Sequence, residues 1–190
     1  MREFQKKKPN GISDNEILIL FRDKNSKNYA FDLLCRKYQQ QIYFHIRRML
    51  IDHDDSNDVT QDVFIKIWKN LDKFREDSNL FTWIYRIATN ETFSFLRKKR
   101  TKLFVPMVDV EKNLTNSLTS DSFFDGDEIQ MKLQKAILKL PTKQRTVFNM
   151  RYFEEMPYLE MSEILGTSVG ALKASYHIAV KKIENILTND

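Results

Sequence analysis

The sequence predicts an all-α protein: two small helical domains joined by a flexible acidic linker, the C-terminal one a helix-turn-helix. Three observations carry that expectation. The 190 residues are 42% apolar with only four Gly and four Pro, enough to bury a core but too poor in turn residues for a many-stranded sandwich or barrel. Apolar residues recur at steps of three and four along almost every segment outside one polar stretch. That stretch also divides the charge. Residues 1–100 carry 20 Lys+Arg against 14 Asp+Glu, residues 101–128 carry 2 against 6, and residues 129–190 carry 9 against 6. A net charge of +5 thus conceals two basic units on either side of an acidic one, and the boundaries expected are 1–101, 102–128 and 129–190.

Taken in order, Ser13 with Glu16 makes a capping-box pattern, followed by the apolar stripe Ile17, Leu20, Phe21. Phe31, Leu34, Tyr38, Ile42, Ile46 and Met49 write a second helix. The acidic run DHDDSND precedes a third, with Val59, Val63, Ile67 and Leu71 every fourth residue and Phe64 and Trp68 widening the stripe. A fourth, over about 79–100, buries Leu80, Ile84, Ile87 and Phe95. The segment 102–128, rich in Ser, Thr, Asn and Asp, has no helical period and could span at most about 90 Å. Beyond it, Ile129, Leu133, Ile137 and Leu140 form a helix stopped by Pro141, which starts the next, bearing Val147, Phe148 and Met150. Pro157 opens a short helix with Leu159, Met161, Ile164 and Leu165. Gly166 then supplies a turn needing positive φ, Ser168 caps, and Val169, Leu172, Tyr176, Ala179 and Ile183 mark the last helix.

Several function classes fall away. A lone Cys35 and scattered His45, His53 and His177 cannot build a zinc site of the usual kind or a disulfide framework. Asp54-Asp55-Ser56-Asn57-Asp58 matches the DDxxD pattern that binds magnesium diphosphate, but no second acidic helix completes a metal cage, and no Gly or closing Glu makes it a calcium loop. It reads as a helix N-terminus with acids in the first turn. No catalytic residue, metal or cofactor is expected. No apolar run spans a membrane and no secretory signal opens the chain, which points to the cytoplasm.

Two constellations point to nucleic acid. In a helix-turn-helix the second helix enters the major groove, and its outward face here is Ser168, Gly170, Ala171, Lys173, Ala174 and His177; an ordinary helical hairpin is the alternative from spacing alone. The fourth helix interleaves Phe81, Trp83, Tyr85, Phe93 and Phe95 with Arg86, Asn90 and a terminal Arg97-Lys98-Lys99-Arg100 run. Exposed rings beside cations suit single strands, though for any one ring the core is the commoner place.

With these residues assembled, the chain resembles the extracytoplasmic-function (ECF) sigma factors of the sigma-70 family. Three motifs carry the resemblance in order: DVTQDVFIKIWKNLDKF, FREDSNLFTWIYRIATNETFSFLRKKR and LPTKQRTVFNMRYFEEMPYLEMSEILGTSVGALKASYHIAVKKIENIL. It implies a factor that binds core RNA polymerase, recognises minus-ten and minus-thirty-five promoter elements and promotes strand opening. It assigns Asp58, Gln61 and Asp62 to the clamp helices of the largest polymerase subunit. It places Lys66, Asn70, Phe74 and Asn90 around the unpaired minus-ten strand, with the loop from Phe74 to Asn79 forming a pocket for an extruded base. Trp83 and Tyr85 support opening, and Arg86 belongs to the same segment. The last helix, including Lys181, reads the minus-thirty-five element while its domain rests on the flap of the second-largest subunit. Where the family usually has Arg, this chain has Ser175, Ile178 and Val180, so weak minus-thirty-five contact is expected from the free protein. Family members are commonly held inactive by an anti-sigma protein. A stand-alone helix-turn-helix regulator and a purely protein-binding module are the other readings.

Overall fold

The computed structural model describes residues 11–103 and 128–189. Among them are eight α-helices: α1 (Asp14–Arg22), α2 (Lys27–Leu50), α3 (His53–Asn70), α4 (Leu80–Leu103), α5 (Glu128–Leu138), α6 (Thr142–Tyr152), α7 (Tyr158–Leu165) and α8 (Val169–Asn189). A 3-10 turn, Leu71–Lys73, extends α3. The body of the expected linker, residues 104–127, lies outside the described residues.

Local chemistry sets the helix ends. Ser13 and Glu16 form the reciprocal box: the Ser13 N–H donates to Glu16 Oε2 at 2.7 Å, and the Glu16 N–H donates to Ser13 Oγ at 3.3 Å. The acidic run before α3 acts through Asp52, whose carboxylate accepts from the Asp55 N–H at 2.9 Å. Pro141 and Pro157 occupy the N-cap positions of α6 and α7. Gly166 ends α7 at φ 61°, ψ 35°, the left-handed conformation expected of it, and the Ala171 N–H donates to Ser168 Oγ at 3.3 Å. Ile51, between α2 and α3, sits at φ 63° though β-branched; its side chain is buried and its N–H donates to the Arg47 carbonyl at 2.8 Å.

The first four helices pack as a bundle around Ile17, Phe21, Leu34, Ile42, Ile46, Val63, Ile67 and Ile84. The C-terminal helices have a smaller core of their own: Ala136, Ile137, Leu140, Phe148, Ala179 and Ile183. They also join the first core. Val147, Met150, Met156, Met161, Ile164 and Leu172 lie in the same apolar cluster as the N-terminal bundle. Helix α7 rests on α4, and α6 on α2.

Candidate nucleic-acid and polymerase interfaces

Helix α3 has one apolar and one acidic side. Val59, Val63 and Ile67 are buried, while Asp58, Gln61 and Asp62 lie on the opposite face, four-residue spacing aligning the two carboxylates. Beside Gln61 a groove of about 480 Å³ opens between α2 and α3. Arg36, Gln39, Gln40 and Tyr43 form its α2 wall. His53 braces the other wall, its Nδ1 2.8 Å from Tyr43 Oη and its Nε2 3.0 Å from Asn57 Nδ2. This polar groove had no signal in the sequence, because its α2 residues lie on the side of the helix opposite the apolar stripe.

At the other end of α3, a cavity of about 350 Å³ is lined by Lys66, Asn70, Lys73, Trp83, Ile87, Asn90 and Glu91. Four residues named by the resemblance thus meet in one place. Asn90 and Lys66 are exposed, Trp83 half-buried, and Asn70 donates through Nδ2 to the Lys66 carbonyl at 2.8 Å, which leaves its Oδ1 available to a ligand. Ile87, expected in the core, is half-buried and lines the cavity instead. Lys73 and Glu91 join without a sequence signal, because a single charged residue on an amphipathic helix reads as solvated surface.

The other residues of that set are placed elsewhere. Phe74 is buried, its ring centroid 5.2 Å from that of Trp83 at 46°, so it backs the indole from behind. Asn79 caps α4 by accepting from the Thr82 N–H at 2.7 Å. Tyr85 is 4% exposed and packs its ring 5.1 Å from that of His45 and 4.3 Å from that of Phe81; burial raises its hydroxyl pKa well above the ordinary value. Arg86 donates to the Glu163 carbonyl of α7 at 2.7 Å. None of the five aromatic residues on α4 is fully exposed: Phe81, Trp83, Phe93 and Phe95 are half-buried. The loop after Phe74 contributes nothing to the cavity wall until α4 begins.

In the C-terminal unit, Ser168, Gly170, Ala171, Lys173, Ala174, His177 and Lys181 lie along one side of α8 and its N-terminal turn, while Leu172, Ala179 and Ile183 are buried on the other. A Cβ placed on Gly170 meets nothing within 4 Å, so this face is sterically open. Lys173 lies 5.9 Å over the Tyr158 ring, which joins this face of α8 to α7. Lys182, by contrast, is turned toward α6 and donates to Gln144 at 3.1 Å.

Where the units meet, polar groups accompany the apolar contact. His45, 1% exposed, has Nδ1 3.0 Å from Glu154 Oε1 and Nε2 3.0 Å from Thr89 Oγ1. Arg48 lies 3.8 Å from the same Glu154 oxygen; burial lowers its pKa, with the Glu154 charge opposing. Asn149 donates to the Arg48 carbonyl at 3.3 Å.

Residues 34–102 match the sequence profile of sigma-70 region 2, and residues 130–183 that of sigma-70 region 4. The chain is 34% identical over 176 residues to the ECF RNA polymerase sigma factor SigW of Bacillus subtilis, covering 85% of this chain and 92% of that protein. It is 31% identical over 185 residues to the RNA polymerase sigma-H factor of Pseudomonas aeruginosa, covering 89% and 92%. Among solved structures, CnrH in complex with the cytosolic domain of CnrY aligns with a TM-score of 0.67 at 23% identity, covering 93% of this chain and 99% of that one. RpoE of Bartonella quintana, solved with the anti-sigma factor NepR, aligns with a TM-score of 0.64 at 20% identity, covering 84% and 98%. The last two likenesses establish a common fold.

Proposed function

The chain belongs to the ECF group of sigma-70 factors, the subunits that direct RNA polymerase to promoters and help open them, and from that premise we propose how its residues divide the work. Residues 1–101 form the unit that binds core polymerase and reads the minus-ten element, residues 102–128 are the tether, and residues 129–190 read the minus-thirty-five element. The observation that carries this reading is the α3–α4 cavity, where Lys66, Asn70, Trp83 and Asn90 converge. An aromatic face, two amides and a cation are what an unstacked nucleotide requires: ring on ring, hydrogen bonds to the base edge, and charge for phosphate.

Asp58, Gln61 and Asp62 present an acidic face to basic residues of the polymerase clamp helices, and the α2 groove extends it. Phe74 and Asn79 act indirectly, one backing Trp83 and the other starting α4 at the right place. Arg86 becomes available to DNA when α7 leaves α4, while Tyr85, packed on His45 and Phe81, supports the strand-opening segment from within. Such movement is needed, since elements about 25 base pairs apart are separated by roughly 85 Å at ~3.4 Å per pair, a span that two units in contact cannot bridge. The protein works in the cytoplasm by binding and not by catalysis. Its partners are core polymerase, promoter DNA and an anti-sigma protein, as RpoE has in NepR.

Run-off transcription with purified core polymerase and promoter fragments from the native genome tests this. Initiation that depends on both the added chain and intact minus-ten and minus-thirty-five sequences is expected. Templates transcribed equally with and without the chain would refute it.

A further inference from the structure

A cavity that receives a polyanion calls for cations, amides and aromatic faces. Six of the seven residues lining the α3–α4 cavity are cationic, amide-bearing or apolar, and Glu91 is the exception. Its side chain, 20% exposed, is ion-paired with Lys66, itself half-exposed. A pair this accessible adds little to the fold, yet a carboxylate here repels phosphate. What a carboxylate does well is select, because it only accepts hydrogen bonds. Glu and Asp accordingly accept from the N4 amino group of cytosine when proteins read bases.

Resting on the assignment of this cavity to the unpaired minus-ten strand, we propose that Glu91 is a specificity-determining residue: it admits a base that presents an exocyclic amino group and rejects thymine. Cytosine and thymine have rings of the same size and stack equally well on Trp83, so packing does not separate them. Their edges do. Cytosine turns N4–H toward Glu91, with its N3 acceptor beside it for the Lys66 ammonium. Thymine would place its O4 carbonyl against the carboxylate, acceptor facing acceptor, and both would lose hydrogen bonds to water without gaining a partner. Lys66 also neutralises Glu91 while the cavity is empty, which keeps the approach open to DNA.

The test uses holoenzyme reconstituted from core polymerase and the full chain, bound to forked templates in which each minus-ten base of the non-template strand is set to cytosine or thymine in turn. Wild type should show one position where cytosine is preferred about ten-fold or more, the range of a single base readout. Glu91→Gln, nearly the same shape but able to donate as well as accept, should narrow that preference to about two-fold, and Glu91→Ala should remove it. Lys66→Met, which breaks the ion pair but keeps the carboxylate, should weaken binding to all templates and retain cytosine over thymine. Thermal melting of each variant is measured alongside. Unchanged discrimination in Glu91→Gln, a wild-type preference for thymine throughout, or identical base profiles for Lys66→Met and Glu91→Gln would overturn the proposal. Wild-type holoenzyme indifferent to every minus-ten base would instead refute the assignment of the cavity to the minus-ten strand.

Discussion

His45, in the middle of α2, holds Glu154, 109 positions later in the sequence, through a 3.0 Å contact at Nδ1, and its other ring nitrogen is fixed by Thr89 of α4. One side chain thus ties the C-terminal unit to two helices of the N-terminal bundle. The second Glu154 oxygen, Oε2, is buried with no hydrogen-bond partner among the described residues. An unmet acceptor costs about 1–3 kcal/mol, so the contact is weaker than its burial suggests and suited to being broken.

Replacing Glu154 by Ala leaves His45 and Arg48 without their anion at the junction. Stability should fall by about 1–3 kcal/mol, and the radius of gyration from small-angle X-ray scattering should rise as the units separate. An unchanged scattering profile would mean that the apolar contacts hold the units together unaided.

Asp62 is exposed on α3, on the side away from the buried Val63 and Ile67. Reversing its charge as Asp62→Arg should abolish co-elution with core polymerase while the far-ultraviolet circular dichroism stays that of wild type. Retained co-elution would place the polymerase-binding face elsewhere.

Gly166 and Gly170 both have open space where a Cβ would go, so their substitutions isolate the backbone. Gly166→Ala forces a side chain to φ 61° and should cost about 1 kcal/mol. Gly170→Ala lies within α8 and should stabilise by up to about 1 kcal/mol. Thermal melts moving in opposite directions are the expected result; equal shifts would contradict the turn geometry.

Tyr38 and Tyr85 both have pKa values raised by burial, Tyr38 further by donating to Asp14 at 2.7 and 2.8 Å. Unfolded tyrosines ionise near about 10. The stability held by the neutral folded forms is fully present below that value, and above it the unfolded chain sheds protons that the folded chain retains. Urea midpoints should therefore drop as pH rises from about 9 through about 10.5, and Tyr38→Phe should flatten the drop. A midpoint independent of pH over that range would contradict these shifts.

Much of this was legible in residue order. Periodicity located every helix among the described residues, because a stripe at 3.6 residues is a property of one segment alone, and Ser13, Pro141, Pro157 and Gly166 marked ends by chemistry confined to a single turn. The union of the two cores was not legible. Val147, Met150, Met161 and Ile164 announce that they are apolar, but periodicity does not say whether the surface they meet belongs to their own unit or to another. The cavity was half legible. Lys66, Asn70, Trp83 and Asn90 followed from resemblance, whereas Glu91 and Lys73 needed the crossing of α3 and α4 to bring them together. Phe74, Asn79 and Tyr85 show the converse: residues grouped with DNA contacts have side chains engaged in supporting the fold.

The common core has a calorimetric consequence. A chain whose two halves are linked by a long polar segment would ordinarily melt in two steps, each half with its own enthalpy. With Val147, Met150, Met156, Met161, Ile164 and Leu172 in one apolar cluster with the first four helices, heat should unfold the two halves in one transition. Cutting the chain between them would give fragments with exposed apolar faces, poorly soluble and each less stable than in the intact protein. The opening proposed on polymerase would expose the same surfaces, so the holoenzyme would have to re-cover them, and that transfer of apolar area should appear as a negative heat-capacity change on binding.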